Sequence, residues 1–73
     1  ARDVKIGDYS YFAPKVYIGA ETEIKDQVYI GINGLVKERI TINKNSIIGM
    51  GSIILEDIEE SAVYYGQKAK KRN

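Results

Sequence analysis

The hydrophobic positions of this chain recur every six residues. Ile6, Phe12, Ile18, Ile24, Ile30, Val36, Ile42, Ile48 and Ile54 are bulky and apolar without exception. Two residues before each stands a second series: Val4, Ser10, Val16, Thr22, Val28, Gly34, Ile40, Ser46 and Ser52, all small or β-branched. Residues two apart on a strand face the same way, so the two series form one inward surface. A six-residue unit divided between a short strand and a turn fits neither a helix nor a hairpin sandwich, and stacked units of this kind make a parallel β-solenoid. The residue after the bulky one is Gly7, Ala13, Gly19, Gly31, Asn43 or Gly49 in six repeats, types expected to take a tight or left-handed bend. Lys25, Lys37 and Leu55 depart from that rule.

The stretches VKIGDYSYFAPK, VYIGINGLVKER, ITINKNSIIGMGSIILEDI and YYGQKAK resemble the last coils and closing segment of the hexapeptide-repeat acyltransferases, from about Val4 to Lys70. The resemblance implies an all-β, single-stranded, left-handed parallel β-helix of triangular cross-section, an exception to the usual right-handed crossover. With three hexapeptides per coil, the nine units make three coils. Residues 1–57 are then the β-helix, and 58–73 a C-terminal extension with a basic tail.

On an eighteen-residue coil, the outward position before each bulky residue sorts into three columns: Lys5, Glu23, Thr41; Tyr11, Tyr29, Ile47; and Tyr17, Leu35, Ile53. One face is polar and two are apolar, a pattern that marks an interface. A closed homotrimer touching its neighbours through the Tyr11, Tyr29, Ile47 face and the Tyr17, Leu35, Ile53 face covers both. The corner positions sort into Asp8, Asp26, Lys44; Pro14, Ile32, Met50; and Ala20, Glu38, Glu56, so only the middle corner is apolar throughout. The resemblance implies acetyl-coenzyme A as acyl donor, lying along a corner between subunits and held by main-chain groups of the turns. The matching residues are Gly31, Ile32, Gly49, Met50 and Gly51, with Lys70 of the closing run available to phosphate. Packing at a subunit seam explains the same residues equally well.

Composition narrows the chemistry. The 73 residues include no histidine and no cysteine, which removes disulfides, zinc hydrolases and Ser-His-Asp triads. No metal is expected, and oligomerisation is the staple left to so small a domain. Residues 1–65 carry net −3, whereas the last eight add four basic residues. That tail has no interleaved aromatics, so no nucleic-acid partner is expected. No apolar run approaches a membrane span, no signal layout is present, and the expected location is cytoplasmic. With only ARD ahead of Val4, the first coil's strand edges are expected to lack a cap, and the short chain reads as lacking a front half.

Acyl transfer from a thioester needs a base for the attacking proton and donors for the oxyanion. RDVKIGDYSYFAP is similar to a stretch of the sialic-acid and bacillosamine acetyltransferase branch, matching at Asp3, Ile6, Gly7, Asp8, Ala13 and Pro14. Arg2 and Tyr11 stand where that branch has its two histidines. Arginine stays protonated and a phenol ordinarily ionises only near pH ~10, so no catalytic residue is assigned. Two function classes stay open. One is an acyl-CoA-dependent acyltransferase acting on a sugar or nucleotide-sugar hydroxyl or amine, with this chain as its coenzyme-binding β-helix. The other is a non-catalytic trimerisation module, scaffold or pseudoenzyme.

Overall fold

The structure is a computed structural model and describes residues 3–66. Its strands are all two residues long: β1 (Lys5–Ile6), β2 (Tyr11–Phe12), β3 (Tyr17–Ile18), β4 (Glu23–Ile24), β5 (Tyr29–Ile30), β6 (Leu35–Val36), β7 (Thr41–Ile42), β8 (Ile47–Ile48), β9 (Ile53–Ile54) and β10 (Val63–Tyr64). The first nine begin six residues apart, and β1 to β6 each pair in parallel with the strand one coil on, Lys5 with Glu23 and Tyr11 with Tyr29. Three walls result, ordered β1-β4-β7, β10-β8-β5-β2 and β3-β6-β9. The expected architecture is thus present: an all-β solenoid of about three coils, matching the left-handed β-helix.

Both inward series do what their periodicity predicts. Ile24, Ile30, Val36, Ile42 and Ile48 are fully buried, and so are Thr22, Val28 and Ser46. Three of the four inward hydroxyls are satisfied: Ser10 Oγ donates to the Lys25 carbonyl, Thr22 Oγ1 to that of Lys37 and Ser46 Oγ to that of Asn43. Ser52 Oγ is buried without a hydrogen bond among the described residues. At the N-terminal end of the stack Ile6 is 51% exposed, and it borders a cleft of about 400 Å³ with Phe12, Val16 and Ile18.

The corners differ from expectation. The left-handed residue is not the glycine after the bulky position but the residue two further on. Tyr9, Lys15, Glu21, Gln27, Asn33, Arg39, Asn45 and Gly51 all have φ between 57° and 69°. Each of the later ones ties its amide to the preceding coil: Gln27 N–H donates to Asp8 O, Asn33 to Pro14 O, Arg39 to Ala20 O, Asn45 to Asp26 O and Gly51 to Ile32 O. A ladder of corner hydrogen bonds therefore offsets the cost of left-handed backbone in side-chain-bearing residues. The preceding glycines serve coil stacking instead. A Cβ on Gly19 would lie 2.4 Å from Glu38 N, and one on Gly31 2.8 Å from Met50 N.

After β9 the spacing changes from eighteen to sixteen. Ile58 bridges to Ile42, and Val63 pairs with Ile47. Ile58 is buried, the Asp57 carboxylate accepts the Thr41 N–H at 2.9 Å, and Tyr64 Oη donates to the Glu60 carbonyl. This closing segment covers two of the three walls at the C-terminal end.

Candidate functional site

The register assembles the predicted columns as walls of side chains. Tyr11, Tyr29 and Ile47 stand in line on one wall, and Tyr17, Leu35 and Ile53 on the next. All six point outward and are between 42% and 64% exposed. Tyr11 and Tyr29 stack with ring centroids 5.4 Å apart and planes 8° from parallel. The stack was not foreseen from the sequence, although two tyrosines one coil apart were its visible signal. The polar wall carries Lys5, Glu23 and Thr41.

The corner between the two apolar walls is the Pro14, Ile32, Met50 column. Ile32 and Met50 are exposed, Met50 to 72%. The main-chain groups there are largely committed. Gly31 N–H donates to Ile48 O, Gly49 N–H to Tyr64 O and Gly51 N–H to Ile32 O. The amides of Ile32 and Met50 make no hydrogen bond among the described residues. Each glycine also has a structural reason to be glycine. Gly31 meets the Met50 backbone, a Cβ on Gly49 would sit 3.2 Å from Tyr64 O, and Gly51 has φ +69°. The corner thus presents two unengaged donors flanked by apolar side chains, on a ridge rather than in a hollow.

Two clefts among the described residues lie elsewhere. One of about 350 Å³ is lined by Lys5, Glu23, Lys25, Asp26 and Lys44. Another of about 420 Å³ runs along Tyr17, Gly19, Leu35 and Leu55, with the ion pairs Arg39–Glu21 (3.0 Å) and Lys37–Glu38 (3.6 Å) at its rim. A pantetheine-sized ligand at the Ile32–Met50 ridge would need a second wall to bury it.

Tyr11, at the position of the resembled branch's second histidine, is stacked on Tyr29 and exposed. Arg2 and Lys70 lie outside the described residues. Among the described residues no three His, Cys, Asp or Glu side chains gather as a metal site. No helix among them is long and apolar enough to cross a membrane.

No family model matches the chain, and no curated protein matches it. Among solved structures it is similar to serine acetyltransferase isoform 3 of Entamoeba histolytica, determined in complex with cysteine. Identity is 25%, the TM-score is 0.86, and the match covers 96% of this chain and 28% of that one. The chain therefore spans little more than a quarter of that protein's length. The coils form a fold of the acyltransferase type, the hexapeptide-repeat left-handed β-helix.

Proposed function

We propose that this chain is the coenzyme-binding β-helix of an acetyl-coenzyme A-dependent acyltransferase that works as a homotrimer. The observation that carries the reading is the in-register stack itself, which superposes on a serine acetyltransferase over nearly its whole length. Residues 1–57 are the working prism and 58–73 its closing extension. The Ile32 and Met50 amides and the apolar Pro14, Ile32, Met50 ridge are one wall of the donor groove, and a neighbour's face is the other. The donor would supply an activated thioester carbonyl. This chain's residues shield its pantetheine arm from water and hold it along the corner. The RDVKIGDYSYFAP stretch supports a sugar or nucleotide-sugar acceptor, and the proton-accepting base comes from outside these coils.

A second reading is favoured by one observation. The chain holds no histidine, and the tyrosine at the expected place is stacked against another ring. On that reading the prism is a non-catalytic trimerisation module.

Calorimetry with acetyl-coenzyme A separates the two. The transferase reading expects binding that is abolished by Ile32→Asp and by Met50→Asp, both surface changes that leave the core untouched. A folded, assembled protein that releases no heat with donor at about 1 mM, the ~−4.1 kcal/mol limit of weak binding, sinks it.

A further inference from the structure

We propose that Asn33–Gly34 is a deamidation site that the folded coil holds closed, so that its conversion records the opening of this corner. Three features meet here. Asn33 is exposed, and of the three asparagines among the described residues it alone precedes glycine, whose missing side chain leaves the following nitrogen unhindered. Gly34 is kept as glycine by packing, because a Cβ there would lie 2.5 Å from Cγ2 of the fully buried Ile30. The labile pair is thus a by-product of the solenoid's core.

The reaction needs the Gly34 nitrogen to attack Asn33 Cγ. The new N–Cγ bond closes a five-membered succinimide, and the side-chain nitrogen leaves as ammonia. Water then opens either carbonyl of the ring, giving aspartate or isoaspartate at position 33. Ring closure requires Asn33 Cβ and the Gly34 nitrogen on the same side of the intervening Cα–C bond. With φ +62° and the Gly34 N–H closing a turn onto Gly31 O, Asn33 has left-handed backbone, whose ordinary ψ of about +47° sets the two nearly opposite. Two hydrogen bonds hold it there: Asn33 N–H to Pro14 O at 3.2 Å, and Gly34 N–H to Gly31 O at 3.1 Å, the second occupying the nucleophile itself. Reaction must wait until both open. Isoaspartate adds one atom to the backbone of a coil whose neighbours keep an eighteen-residue register, so the corner cannot close again in its old form.

The test is independent of acyl transfer. Folded protein and protein unfolded in urea are incubated in mildly alkaline buffer, and the gain in mass from NH2 to OH is located by peptide mapping. Conversion is expected first at Asn33 in the unfolded chain, and at least about tenfold more slowly in the folded one, since local opening must precede it. Asn33→Gln should abolish the rapid phase. Equal rates in both states, a first conversion at Asn43 or Asn45, or a rapid phase that survives Asn33→Gln would each overturn the proposal.

Discussion

At the scale of single residues, the unusual feature is the run of left-handed corners occupied by tyrosine, lysine, glutamate, glutamine and arginine. Such residues give up about 1–2 kcal/mol each relative to ordinary backbone. Gln27, at φ 57° with an exposed side chain, is the cleanest place to recover part of it. Gln27→Gly keeps the N–H to Asp8 O and should stabilise the protein by about 0.5–1 kcal/mol after glycine's extra unfolded-state freedom is discounted. Gln27→Val should lose at least about 1 kcal/mol, a β-branched side chain being poorly suited to positive φ. The urea midpoints of the two variants check this, and an unchanged order of stability would contradict the assignment of the bend. The sequence placed that bend two residues early. Glycine has two reasons to appear, backbone freedom and close approach, and at Gly19 and Gly31 the reason is close approach. The true bend was hidden because only Asn33, Asn45 and Gly51 among its occupants are types that advertise it.

Each strand is two residues long, and a pair of such strands has no stability of its own. What holds an element is the coil above and below it. Ile42 illustrates this: it is fully buried, pairs with Ile24 and is bridged by Ile58. Ile42→Ala should cost about 2–5 kcal/mol, while the same change at Ile6, half exposed in the first coil, should cost less than half as much. Thermal or chemical unfolding measures the pair, and equal losses would contradict this gradient of burial. The nine repeats were legible because a period of six with an aliphatic residue every time has no other economical explanation. The C-terminal segment was less so, since from Ile58 its partners follow at sixteen rather than eighteen and β10 falls outside the repeat. The candidate donor residues were legible as a column, but the commitment of the Gly31, Gly49 and Gly51 amides to neighbouring coils was not. Hydrogen-bond partners fifteen to nineteen residues away leave no local trace in the sequence.

For the whole molecule, two adjacent apolar walls and one polar wall give the prism a sidedness that its core does not need. On the proposed homotrimer, the outward column residues matter little for folding and much for association. If the proposed homotrimer forms, a double change, Tyr29→Lys with Ile53→Lys, should leave the parallel-sheet circular dichroism intact and yield a monomer in light scattering. A native protein that already behaves as an 8.2 kDa monomer would contradict the assembly. The same register restricts how the chain can change length over time. Loss or gain of eighteen residues within the stack removes or adds a rung and leaves every later side chain on its own wall. Loss of six residues preserves the inward series equally well, yet it turns everything downstream by one wall. Tyrosine and isoleucine columns would then continue into the lysine, glutamate and threonine column, and the association surface would be broken inside an intact core. Surviving length variants of this protein should therefore differ by whole coils or by loops pushed out at the corners, a rule of inheritance written by the three-sided cross-section.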